Sequence, residues 1–192
     1  MQRMPLLALL ACIPLATLGG KAPMIQVGEK PPALDFRIYS GDSTLPGIRW
    51  EDLKNRAVII DFWATWCSPC IKSFPHLNAM VEQFADQPIT FLSITYEPPR
   101  LITPFLAKHQ LESVIGIDDD FAMFKSFGAW GIPMLVAVNR EGRIACVIHP
   151  KHLTADLINE VLAGEIPDVP QAERWPDPKG AEKYFRSLLK ER

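Results

Sequence analysis

Ala57-Val-Ile-Ile-Asp-Phe-Trp63 is an apolar run interrupted only by Asp61 and rich in β-branched and aromatic residues. Such a run predicts a strand buried on both faces. From Cys70 the period changes: Phe74, Leu77, Met80, Val81 and Phe84 recur at helical spacing. Ile89 to Tyr96 reads as a second buried strand, and Leu101–Gln110 and Phe121–Phe127 as helices. Met134–Val138 and Arg143–Ile148 read as strands joined by Asn139-Arg-Glu-Gly142, a hairpin turn with glycine last. Thr154 is positioned to cap a helix carrying Leu157, Ile158, Val161 and Leu162, which Gly164 would end. The order strand, helix, strand, helix, strand, strand, helix predicts a parallel core with an antiparallel edge. No internal repeat is visible.

The two ends follow other patterns. Residues 1–19 carry one charge, Arg3, and run apolar from Leu6 to Leu18. That is short of the about 20 residues needed to span a bilayer. With Gly19, Gly20 and Ala22 behind it, the segment fits a secretory signal peptide or N-terminal anchor. A rival reading is a lipoprotein box at Leu9-Leu10-Ala11-Cys12, and another is a leading strand or helix of the fold. At the far end Pro167, Pro170, Pro176 and Pro178 argue for an extended linker. Lys179–Lys190 then reads as a short helix with Tyr184, Phe185, Leu188 and Leu189 on one face. Packing of that helix on the domain is preferred to a partner-binding role. The expected divisions are a leader at 1–19, a folded domain over 27–165, and a linker plus helix over 166–192.

Composition narrows the classes. With 192 residues, 48% of them hydrophobic, the chain can bury a core and wholesale disorder is excluded. Twenty basic against 22 acidic residues leave no basic excess for a nucleic-acid surface. Four cysteines are too few for a disulfide scaffold at this length. Their placement is what matters.

Cys67-Ser68-Pro69-Cys70 falls between the first buried strand and the helix. The first cysteine would lie where unpaired N–H groups and the positive end of the helix dipole meet, and both stabilise a thiolate. The thiolate is the attacking species in disulfide exchange, and a second thiol three residues on can resolve the mixed disulfide. Cys67 is therefore the candidate nucleophile and Cys70 the resolving thiol. A structural disulfide or half a zinc site are the alternatives. Zinc wants four ligands, no second cysteine pair exists, and His76, His109, His149 and His152 lie on other elements. The catalytic role requires Cys67 to be ionised and reachable.

Asp61-Phe-Trp-Ala-Thr-Trp-Cys-Ser-Pro-Cys70, Pro75 in the following helix and Gly131-Ile132-Pro133 before the next strand closely resemble the thioredoxin superfamily. Cys67 and Pro133 stand 66 positions apart, a wider gap than in plain thioredoxins. Together with the opening Pro31-Pro-Ala-Leu-Asp-Phe36, this resembles the exported TlpA/ResA-like branch, which carries a strand-helix insertion in that gap. Ser73 departs from the branch, where many members have glutamate. The resemblance implies an α/β fold, a three-layer thioredoxin-like sandwich with a central mixed sheet and the extra strand-helix insertion.

It also implies roles. Asp61 would transfer protons beneath Cys70; an exposed strand-end residue is the plainer reading. Glu97 falls where ResA-like proteins place an acidic residue near the dithiol, although an acidic residue before Pro98-Pro99 also suits a solvated turn. Pro133, if cis, leaves Ile132 with a backbone edge that a substrate peptide can join as a strand. Trp66, Pro69 and Trp130 would flank the dithiol as an apolar docking surface, while Trp63 belongs to the core. Cys146 reads as a buried, inert thiol. The expected activity is thiol–disulfide exchange outside the cytoplasm, reducing exported proteins such as apocytochrome c. A membrane thiol transporter would be the donor, with a possible membrane tether, a monomeric state, and no metal or organic cofactor. A copper chaperone on the same fold and a peroxiredoxin-type peroxidase stand as alternatives.

Overall fold

The computed structural model describes residues 25–41, 43–172 and 178–190; the expected leader at 1–19 lies outside them. The strands are β1 (Arg37–Ser40), β2 (Ser43–Pro46), β3 (Ala57–Phe62), β4 (Ile89–Thr95), β5 (Val114–Ile117), β6 (Met134–Val138) and β7 (Ile144–Ile148). The α-helices are α1 (Ser68–Gln83), α2 (Pro99–Leu106), α3 (Ala122–Phe127), α4 (Ala155–Leu162) and α5 (Pro178–Lys190). One sheet joins the strands in the order β2-β1-β5-β4-β3-β6-β7. Its centre, β5-β4-β3, is parallel, and β6 and β1 pair antiparallel on either side. This is the expected thioredoxin-like sandwich.

β3, β6 and β7 are buried at every position, which is why they read as continuous apolar runs. Alternation along β3 still divides its side chains. Val58, Ile60 and Phe62 enter one cluster, with Phe62 against Phe124 and Phe127 of α3. Ala57 and Ile59 enter the other, with Leu77 of α1 and Leu157, Ile158 and Val161 of α4. The crossovers β3-α1-β4 and β4-α2-β5 advance in the same direction, so right-handed connections place α1 and α2 on one face. Phe74 of α1 and Phe105 of α2 both pack on Trp63 there. The opposite face carries α3 and α5, joined through Phe124 and Phe185.

The structure differs from the sequence reading in three places. The insertion between β4 and α3 consists of α2 and β5, the strand-helix insertion the resemblance implies, although the residue pattern does not mark where β5 lies. The unanticipated hairpin β1–β2 pairs with β5 and makes the second antiparallel edge. α2 starts earlier and ends earlier than expected: Pro99 is tolerated in a first turn, where its missing N–H costs nothing, and a turn follows Leu106. The hairpin turn and the α4 cap form as read. Asn139 Oδ1 accepts from the Arg143 N–H at 2.9 Å, and Thr154 Oγ1 accepts from the Leu157 N–H at 3.2 Å.

Candidate active site

β3 runs into a tight loop, Trp63 to Trp66, and Cys67 is the N-cap of α1. Its sulfur accepts from the Cys70 N–H at 3.3 Å, and its carbonyl accepts from the Ile71 N–H at 3.1 Å. Pro69 sits in the first turn, where it removes no helical hydrogen bond. The sulfur is thus held at the positive end of a 16-residue helix, an arrangement that favours its thiolate. Cys67 and Cys70 are joined as a disulfide. Pro75 lies inside α1, and Ser73 Oγ donates to the Cys70 carbonyl at 2.7 Å.

Asp61 is 1% exposed and lies on the α1 face of β3 between Ile59 and Trp63, with Ser93 of β4 and Leu135 of β6 as its strand partners. Among the described residues neither carboxylate oxygen has a hydrogen-bond partner, and burial pushes its pKa up to about 7. A carboxyl pushed up to about 7, on the α1 face of β3, is suited to take or return a proton.

Glu97 is also 1% exposed, and its carboxylate grips the preceding loop. It accepts from the Thr65 N–H at 2.5 Å and from the Thr65 hydroxyl at 2.9 Å. The solvated-turn reading of Glu97 therefore fails; the carboxylate pins the backbone two residues before Cys67. Ile132–Pro133 is a cis peptide, and both residues line a cleft of about 470 Å³ with His149, His152 and Gln171. The cis bond is as the sequence motif suggested.

The two tryptophans depart from expectation. Trp130 is 2% exposed and Trp66 half-buried, so neither offers an open docking surface. Trp66 Nε1 donates to the Tyr96 hydroxyl at 2.6 Å, and Phe185 of α5 packs on both indoles, at 5.6 Å and 5.7 Å between ring centres. Cys67 is itself only 2% exposed and shares this cluster, against the expectation that it is reachable. The C-terminal helix covers the neighbouring indoles with its apolar face, Phe185 lying on Trp66 and Trp130.

Sequence reading missed the Thr65–Glu97 clamp, the Tyr96 partner of Trp66, and Asp118. Asp118 is buried at the end of β5, accepts from the Phe124 N–H at 2.8 Å through one oxygen, and has no partner for the other among the described residues. Burial pushes it up to about 7. Cys146 is fully buried in β7 and pushed up to about 12, which removes its thiolate at physiological pH.

A model of the AhpC/TSA family matches residues 27–147. Among curated proteins, the thiol-disulfide oxidoreductase ResA of Halalkalibacterium halodurans is 24% identical over 116 residues, 60% of this chain and 65% of that protein. ResA of Bacillus subtilis is 24% identical over 122 residues, 62% of this chain and 68% of that protein. The chain thus spans about two thirds of the length of these relatives. The thioredoxin domain of a Bacteroides vulgatus thiol-disulfide oxidoreductase superposes with a TM-score of 0.58 at 20% identity, covering 74% of this chain and 99% of that one.

Proposed function

This chain belongs to the AhpC/TSA family, and from that premise we propose that it is a thiol–disulfide oxidoreductase that reduces disulfides of exported proteins. The observation that carries the reading is the sulfur of Cys67 at the N-cap of α1, accepting from the N–H of its own partner cysteine.

In the reduced enzyme the Cys67 thiolate attacks one sulfur of a substrate disulfide. That S–S bond breaks, a substrate thiolate leaves, and Cys67 is linked to the other substrate sulfur. Cys70 then loses its proton and attacks the Cys67 sulfur, which releases the second substrate thiolate and forms the Cys67–Cys70 disulfide. Two electrons pass from the dithiol to the substrate, and two protons complete its thiols. Asp61 accepts the Cys70 proton, a transfer favoured by a carboxyl titrating near 7. Glu97 holds the Thr65 loop and so positions Cys67. The cleft along Ile132 and Pro133 receives the substrate backbone.

No resident cofactor is needed. An external dithiol must return two electrons, and we assign that role to a membrane thiol transporter, with the enzyme itself outside the cytoplasm, exported or tethered through residues 1–19. Ser68-Pro69 retains the proline of reducing thioredoxin-like sites and lacks a histidine that would favour the reduced form. Since about 30 mV corresponds to about 1.4 kcal/mol, small changes there shift the direction. The copper-chaperone alternative needs a histidine beside the thiolates; His76 faces the Leu153 carbonyl at 2.6 Å and His109 stacks on Phe105, which leaves His149 and His152 in the cleft beside Pro133 as its candidates.

The test is Cys70→Ser. It is expected to accumulate mixed disulfides through Cys67, identified by mass spectrometry after trapping. Adducts mapped to Cys146 instead would reject the assignment. Equilibration of the native dithiol with glutathione buffers settles the direction: a potential as oxidising as that of a disulfide-forming enzyme would reverse it. Peroxide consumption without a second dithiol protein would favour the peroxidase.

A further inference from the structure

We propose that α5 is a gate over the dithiol that sets which disulfides can reach Cys67, with Phe185 as its specificity-determining side chain and narrow, extended cystine-bearing segments as the favoured substrates. The proposal rests on the oxidoreductase reading and extends it.

Phe185 is 2% exposed and sits in an aromatic socket. Its ring centre lies 5.2 Å from Tyr96, 5.6 Å from Trp66, 5.7 Å from Trp130 and 6.1 Å from Phe124. Ala181, one turn earlier, is 1% exposed in the same cluster. Trp66 adjoins Cys67 in the chain, and Trp130 precedes the Ile132–Pro133 loop, so α5 is seated on residues next to both the nucleophile and the cis-proline loop. With α5 seated, Cys67 is 2% exposed. Displacing Phe185 would uncover Trp66, the residue before Cys67, and Trp130.

The bonds that seat α5 suit a gate rather than a permanent wall. Outside the socket it is held by the ion pair of Lys125 with Glu182 at 3.0 Å, by Arg186 over the Phe121 ring at 4.5 Å and by an Arg186 N–H donating to the Asp120 carbonyl at 3.4 Å. Solvent screening makes such an ion pair weak. Thirteen residues are also marginal as a free helix, so undocking and loss of helix are coupled. Upstream, the arm is fastened to the sheet. The Ala172 N–H donates to the Val147 carbonyl at 2.7 Å, and Gln171 Oε1 accepts from the Val147 N–H at 3.0 Å. Gln171 and Ala172 also wall the substrate cleft. The arm therefore has a fixed root and a releasable tip. A globular disulfide protein needs the tip fully displaced, whereas a thin segment entering along Ile132 needs only a partial opening. The reaction of bulky substrates is reduced by the fraction of molecules that are open.

The test compares the full chain with Phe185→Asp, which puts a charge in the socket, and with Phe185→Leu, which keeps it apolar. Rates are measured against insulin and against a short cystine-bridged peptide. Phe185→Asp is expected to raise the insulin rate about tenfold or more, the effect of about 1.4 kcal/mol of lost docking, while Phe185→Leu stays near the starting ratio. The insulin-to-peptide ratio should rise with it. A second readout needs no turnover: alkylation of reduced Cys67 by iodoacetamide against a polymer-linked maleimide should shift the same way. Ala181→Glu is the second variant if Phe185→Asp does not fold. An unchanged alkylation ratio in a folded, undocked variant overturns the gate. If alkylation shifts but no chain reduces either disulfide, the gate stands and the oxidoreductase reading fails.

Discussion

Both carboxylate oxygens of Asp61 lack a partner among the described residues, so the folded chain keeps this proton to a higher pH than the unfolded chain does. Between about pH 4 and pH 7 the native state therefore binds more protons than the unfolded one, and stability falls as pH rises through that window. A rise from 3.8 to about 7 corresponds to roughly 4 kcal/mol at about 1.4 kcal/mol per unit of pKa. Asp61→Asn is expected to be more stable than the parent at pH 8 by a few kcal/mol, with the difference vanishing at pH 4, as read from denaturant midpoints. Asp118 acts with the same sign, so the variant should retain part of the slope. If Asp61 moves protons for Cys70, Asp61→Ala should also slow release of the mixed disulfide near neutral pH; unchanged release kinetics would make it a structural residue. Asp61 was legible because a charge inside an apolar strand is costly and hence noticeable. Glu97 was legible only through family likeness. Its partner Thr65 was not, since a short neutral side chain carries no signal until the fold brings β4 beside the loop.

At the scale of elements, the strands that sequence revealed are those buried on both faces. β5 escaped because Val114-Ile-Gly-Ile117 is four residues long and broken by a glycine, and β1 and β2 because they are short and partly exposed. The glycine has a packing reason. A Cβ on Gly116 would lie 2.5 Å from Ile94 Cδ1 and 2.6 Å from Phe36 Cδ2, so the bare backbone lets Phe36 close over β5 where β1 pairs. Gly116→Ala is expected to cost about 1–3 kcal/mol through overpacking, seen as a lower denaturant midpoint with an unchanged slope. Because β5 stands two strands from the Cys67 loop, Cys67 alkylation in the reduced protein should keep its rate. A slower Cys67 would mean that the insertion also shapes the site.

For the whole molecule, the sheet and the arm belong to different tiers of stability. β3 is hydrogen-bonded on both sides by β4 and β6 and buried throughout, so its amides can exchange with solvent only when the molecule unfolds. α5 follows a proline-rich segment, is rooted through Gln171 and Ala172, and meets the domain through one face centred on Ala181 and Phe185. Its helical periodicity was legible in sequence, but its seat was not, because the four aromatic walls of the socket come from three separate parts of the chain. Native-state hydrogen exchange in dilute denaturant should therefore separate them. β3 and β6 amides should share the global opening free energy and its full denaturant dependence, while α5 amides exchange through a smaller opening with little such dependence. Oxidation state should not matter to β3 while the domain remains folded. Were α5 protected to the same level as β3, undocking would be as rare as unfolding, and α5 could not act as a gate beside Cys67.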